Sequence, residues 1–233
     1  YSSAIHPFKW RGYQDYGCGA LGDMACHLMD ASFWNLELGS PSSVELKEIE
    51  SASKVAFPKS AVVEYQFPAR KSADGRSTLP PVKLTWHEGG KKPAKPAQME
   101  ENRQLAKGGQ LIIGSKATVY DGNDYCNSPS IVPESLHQQL QPSFPPKTIP
   151  RVPQNEPHRE WITGIRQNNP LHAGSNFEYS VPFTEMVCLG TMAIQAAGKF
   201  NWDPVKLTTG RPEVDKLLYP TYRKGWEMDA VVA

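Results

Sequence analysis

The stretch Gly17-Cys18-Gly19-Ala20-Leu21-Gly22-Asp23-Met24-Ala25-Cys26-His27-Leu28-Met29-Asp30 constrains this chain more than any other. Its glycines make a loop, and the Ala, Leu and Met that follow favour a helix. That helix is expected to run to about Leu38, where Gly39-Ser40-Pro41 stops it. Residues three and four apart share a helix face, so Asp23, His27 and Asp30 line one side. Met24, Leu28, Ala31 and Phe33 or Leu36 form an apolar side next to it. A carboxylate one turn from an imidazole can orient the ring and hold its pKa where proton transfer is useful. The same spacing also fits a hydrogen-bonded helix histidine, with Asp23 near the positive end of its helix.

Gly17, Gly19 and Gly22 also spell G-x-G-x-x-G, the dinucleotide fingerprint. That fingerprint needs a buried strand before it and a parallel strand after the helix. His6 to Tyr16 is aromatic, charged and non-periodic, and the later segments alternate like antiparallel strands. No nucleotide site is therefore expected in this loop.

The net charge of +1 gives no electrostatic reason to expect nucleic acid or an anionic membrane as partner. No apolar stretch approaches the ~20 residues of a membrane span. The 21 prolines in 233 residues, about 9% against a usual ~5%, imply long ordered loops. Cys18, Cys26, Cys126 and Cys188 show no zinc spacing, and Cys26 and Cys188 are expected to be buried thiols. Neither Met nor an export signal opens the chain, so a fragment or processed product is expected. Location, bacterial cytoplasm or periplasm, is not readable from that end.

One domain over 1–233 is expected, in five parts: an extended loop 1–16, the loop and helix 17–38, a sheet 44–120, a proline-rich loop 121–157 and closing helices 158–233. His6-Pro7-Phe8-Lys9-Trp10-Arg11-Gly12-Tyr13 combines rings and cations suited to stacking on a polyol, or simply to docking a coil. Strands are expected at Val44 to Glu50, Ala61 to Phe67 and Val82 to His87. Gln110 to Ile113 and Ala117 to Tyr120 read as a hairpin. Alternation leaves one face of this sheet covered and one polar. Lys71 to Pro81 and Gly89 to Gly109 read as linkers, the latter's lysines solvated. His158 to Gln167 is expected as a short helix with Trp161, Ile162 and Ile165 inward. Gly174 to Tyr179 opens a helix from roughly Val181 to Gly198, and Pro212 to Trp226 is expected as a third.

The order of these pieces resembles the C-terminal half of the Gfo/Idh/MocA oxidoreductases, specifically a large subgroup from polysaccharide-degrading bacteria. The matching residues are His6 to Gly12, Gly19 to His27, Pro81 to Trp86, Gly174 to Phe177 and Tyr222-Arg223-Lys224-Gly225-Trp226. The resemblance implies an α+β fold: an open, mainly antiparallel sheet with helices on one face, the sheet serving homo-oligomer formation. It implies NAD or NADP bound by a separate N-terminal Rossmann domain, which this chain lacks along with that domain's Glu-Lys-Pro lysine. Asp23 and His27 match the family's Asp-x-x-x-His pair. His27 is then the general acid/base for a sugar or polyol hydroxyl or ketone, Asp23 orients it, and this chain alone should not transfer hydride. Lys9, Trp10, Arg11, His87, Asn176 and Tyr179 are expected substrate contacts, and Asp30 a partner of His27 or a solvated residue. No metal is expected; a site from Asp23, His27, Asp30 and His158 or His172 is the weaker alternative. Two further readings are an NAD-dependent glycoside-cleaving enzyme, working by oxidation and elimination, and a non-catalytic carbohydrate-binding or assembly module.

Overall fold

The structure is a computed structural model that describes residues 2–3, 5–51, 53–219, 221–222 and 224–225. Helices α1 (Gly19–Leu28) and α2 (Asp30–Asn35) precede strands β1 (Ser43–Glu50) and β2 (Ser60–Phe67). A two-residue pair, β3 (Arg70–Lys71) with β4 (Thr78–Leu79), leads into β5 (Val82–His87). Then come β6 (Gln110–Ile113), β7 (Thr118–Asp121), β8 (Ser130–Val132) and α3 (Glu134–Leu140). Helices α4 (Pro157–Arg166) and α5 (Phe177–Ala196), strand β9 (Lys199–Asn201) and α6 (Pro212–Asp215) complete the order. The fold is α+β, with open antiparallel sheets.

Alternation builds the main sheet, ordered β5-β2-β1-β9 with every neighbour antiparallel. Ala61, Val63, Tyr65 and Phe67 project from β2 into the core, beside Trp86 from β5 and Val44 from β1. Polar residues such as Glu64 and Lys83 occupy the opposite face, where they pair at 3.8 Å. A side chain as large as these contributes about 1.5–3 kcal/mol when fully buried, so the covered face sets the register.

Helices α1 and α5 cover that face. Helix α5 turns an apolar side to the sheet, with Met186, Leu189, Ala193 and Ile194 buried. Its start is capped by Asn176, whose side chain accepts from the Tyr179 amide at 3.2 Å. Helix α1 buries Leu21 and Ala25, and the line continues through Met29 to Phe33 on α2. Met24, Leu28 and Leu36, expected on the apolar side, are only partly buried. The expected helix to Leu38 is thus two short helices meeting at Met29 and ending at Asn35.

The hairpin β6–β7 forms, but in a separate sheet ordered β6-β7-β8. Its small core is Met99, Tyr120 and Val132. The expected loop 121–157 therefore holds β8 and α3, and the expected linker at Lys71 to Pro81 holds the β3–β4 pair. The lysines of the Gly89 to Gly109 stretch are tethered: Lys92 donates to the Leu105 carbonyl and Lys95 to that of Glu101. Residues 1–16 are not simply extended, since Lys9–Gly12 forms a 3-10 turn.

Three expectations fail outright. Trp161, Ile162 and Ile165 of α4 face solvent, Trp161 at 63% exposure, because the apolar stripe of α4 has no covering partner among the described residues. Cys26 and Cys188 are exposed, since each lies off the stripe its helix turns to the core. The third helix stops at Asp215 and continues as turns; Arg223 and Trp226 lie outside the described residues.

Gly190 is where α5 approaches β2 most closely. A methyl there would overlap the hydroxyl of fully buried Tyr65 and meet Leu21 Cδ1 at 2.8 Å. Gly190→Ala should therefore cost about 1–3 kcal/mol by overpacking, lowering Tm by several degrees in a thermal melt. An unchanged Tm would contradict this packing.

Candidate functional site

Asp23 and His27 both lie on the exposed side of α1. Among the described residues Asp23 pairs with Arg11 at 3.2 Å, and no hydrogen bond joins it to the His27 ring. The Arg11 Nε is close enough for a charge contact but is not aligned as a hydrogen-bond donor. The guanidinium lies over the Phe8 ring at 3.9 Å and near Trp10 at 5.2 Å, while Nη1 donates to the Phe8 carbonyl at 3.2 Å. Stacking and ion pair together fix Arg11 although both partners are partly wet; each contact is worth about 1 kcal/mol or less. Lys9 belongs to the same 3-10 turn, packed against α1, and is exposed.

His27 meets a residue that the sequence did not single out. The Tyr125 ring stands edge-on to the imidazole, with centroids 5.3 Å apart and planes at 72°. Tyr125 belongs to a loop built on Asp121, which is almost fully buried. The Asp121 carboxylate accepts from the Asn123 and Ser128 amides, both at 2.8 Å, and Asn123 accepts from the Tyr125 amide at 2.8 Å. This is side-chain turn chemistry of the kind Asp and Asn favour, and the Asp121-Gly122-Asn123-Asp124 cluster could have signalled it. The loop is tied to α1, where Cys126 Sγ reaches the His27 carbonyl at 3.3 Å, and β6 is tied to α2, where Ser32 Oγ donates to Gln110 Oε1 at 2.8 Å. Burial and the Asp121 charge raise the Cys126 thiol above its ordinary pKa, so it stays neutral near pH 7.

Asp30 continues the face one turn further. It accepts from the Tyr179 hydroxyl, which fixes the start of α5 to α2. Burial, then this bond, pushes the phenol above its ordinary range and keeps it a donor. The Tyr179 ring also lies edge-on to Phe33 and Trp34. Asn176 is occupied as the α5 cap, also donating to the Ala173 carbonyl at 2.9 Å. His87 is not brought to this group. It lies on the sheet face turned from α1, near Glu48 and Lys91, and burial lowers its pKa.

The glycines of the loop before α1 lie close against the rest of the chain. A Cβ at Gly17 would strike the Arg11 backbone, one at Gly19 the Phe57 ring and one at Gly22 the Cys18 side chain. The residues before α1 form turns rather than a core strand. Cavities of about 430 Å³, lined by Gln14, Lys54 and Ile194 among others, and about 270 Å³, lined by Trp34, Glu37 and Tyr179 among others, lie elsewhere. Neither is lined by Asp23 or His27. Among the described residues no group of three or more His, Cys, Asp or Glu is arranged to hold a metal ion.

Removing the Asp121 carboxylate would leave the Asn123 and Ser128 amides without their acceptor, a cost of about 1–3 kcal/mol each where buried. Asp121→Ala should loosen the loop and speed alkylation of Cys126 by about tenfold or more, read at neutral pH by mass spectrometry of the peptide that carries Cys126. An unaltered alkylation rate would show that the loop holds without Asp121. No protein-family model matches the chain, and no curated protein matches it.

Proposed function

We propose that this chain is the substrate-binding and oligomerisation domain of a nicotinamide-dependent oxidoreductase, acting on a sugar or polyol hydroxyl or ketone. In this reading it is similar to the C-terminal domains of the Gfo/Idh/MocA enzymes. The observation that carries the reading is the exposed side of α1. There Asp23 and His27 stand one turn apart, with half-buried Asp30 following at the start of α2, flanked by the Phe8–Arg11–Trp10 stack, the Tyr125 ring and the Tyr179 hydroxyl. Rings and charged groups of this kind suit a polyhydroxylated ligand, whose carbon faces stack and whose hydroxyls bond.

Oxidation of a carbinol requires a base at its oxygen, and a neutral imidazole can accept that proton at neutral pH. His27 takes this role, and a ketone would receive the same proton back. Asp23, held by Arg11, supplies negative charge one turn from the ring. Lys9, Trp10 and Tyr179 border the face on which the ligand would lie. The cofactor belongs to a separate domain, and the chemistry assigned to this chain is the proton's alone. The more polar face of the main sheet, which includes His87, is the surface assigned to association with a second copy.

The test joins this chain to a nucleotide-binding half and follows NADH at 340 nm with candidate polyols. His27→Ala should lower kcat by about 100-fold or more, the usual contribution of a positioned acid/base, and leave cofactor affinity nearly unchanged. Undiminished turnover would remove His27 from the mechanism.

A further inference from the structure

Two aromatic rings where α2 meets α5 stay open to solvent. Trp34, on the last turn of α2, is 54% exposed, and Tyr179, on the first turn of α5, is half-buried. Their ring centroids lie 6.3 Å apart, with planes at 62°. Both line the open cavity of about 270 Å³, together with buried Phe33, Pro182, Glu37 and Glu178. Rings inclined in this way form the corner of a cage, in which two π faces can meet one positive charge. Among the described residues no cation of the chain lies over either ring: Arg11 stacks on Phe8 and Trp10, and Arg103 on Tyr120.

The groups around the cavity are acceptors. Glu178 is exposed, and among the described residues no cation pairs with it. Pro182 has no N–H to donate to the Glu178 carbonyl one turn back, so that oxygen lacks its helical donor. Glu37 is exposed as well, and its carboxylate accepts from the Ala73 amide at 2.6 Å. The Tyr179 hydroxyl donates to Asp30, and a phenol that donates to a carboxylate carries a more electron-rich ring. Arg70 is close to Glu37, but its guanidinium is engaged by the carbonyls of Leu36, Glu37 and Pro80. The positive end of α5 is answered by its Asn176 cap and by Glu178 in its first turn.

We propose that this cavity binds a small organic cation whose ammonium nitrogen carries alkyl groups. Glu37 and Glu178 set the sign of the ligand's charge. The rings, Phe33 and Pro182 set its surface: they offer no oxygen cage to a metal ion, and stripping water from a bare ammonium here would be costly. Methyl groups on nitrogen reduce that hydration and spread the charge over a surface that rings can touch. A volume of about 270 Å³ admits such a head with a short tail. The site shares Tyr179 with the α1 face, but its ligand is not the polyol, and its occupancy does not depend on the function proposed above.

Titration of this chain with choline, followed by the indole N–H signals in NMR, tests the site. Choline should shift the Trp34 signal, with a Kd of about 1 mM or below. Its neutral isostere, with a tert-butyl group in place of the trimethylammonium, should bind about fivefold or more weakly. Trp34→Ala and Glu178→Lys should each weaken choline by about fivefold or more, read on the neighbouring amides, whereas Trp34→Phe should keep most of the affinity. Equal affinity for choline and the isostere would overturn the proposal. So would the absence of any shift at about 20 mM choline, or choline binding that survives Trp34→Ala. Trp34 and Glu178 are exposed, so these variants leave the core intact, and the comparison of choline with its isostere needs no variant. No turnover enters these readouts, so their failure leaves the His27→Ala test intact, and the reverse also holds.

Discussion

The packing of α5 against β2 through Gly190 and Tyr65 is the constraint on which the rest depends. A ring as large as Tyr65, fully buried, needs a gap in the helix above it, and Gly190 is that gap. Close approach at this point lets Leu21 pack beside the same ring, which brings α1 down onto the sheet. With Leu21, Ala25 and Met29 committed to the core, Asp23 and His27 are left outward by helical geometry alone. The face proposed as the site is the by-product of a well-filled core on the other side of the same helix.

That face is then furnished by parts distant in sequence. The N-terminal turn contributes Arg11 between two rings, the loop after β7 contributes Tyr125, and the start of α5 contributes Tyr179. Each is held from behind: Arg11 by the Phe8 carbonyl, Tyr125 by the Asp121 and Asn123 turn, Tyr179 by its helix cap. The individual contacts are weak, so the arrangement depends on several fixed supports rather than one strong bond.

Much of the framework was legible in the residues. Alternation in Ala61 to Phe67 and Val82 to His87 marked β2 and β5 to within a residue, although β2 also buries Val62 on its other face. The glycine loop and the Asp23/His27 spacing marked α1 for the same kind of reason. Periodicity failed where it was asked for a partner rather than a shape. The stripe Trp161, Ile162 and Ile165 is a true helical face, yet nothing in a stripe says what covers it. Proline density hid β8 and α3 inside what read as one loop. The turn on Asp121 is local and was open to reading from the Asp121-Gly122-Asn123-Asp124 cluster, whereas the meeting of Tyr125 with His27 was not, because it joins residues far apart in the chain.

The central claim is that α1 offers a proton-handling face while the glycine loop before it holds no nucleotide. Calorimetric titration of this chain with NADH and with NADPH tests that division most directly. The account predicts no binding heat with either, because Gly17, Gly19 and Gly22 are filled by Arg11, Phe57 and Cys18. Binding of either nucleotide at micromolar affinity would contradict it, and the loop rather than the α1 face would then be the centre of the molecule.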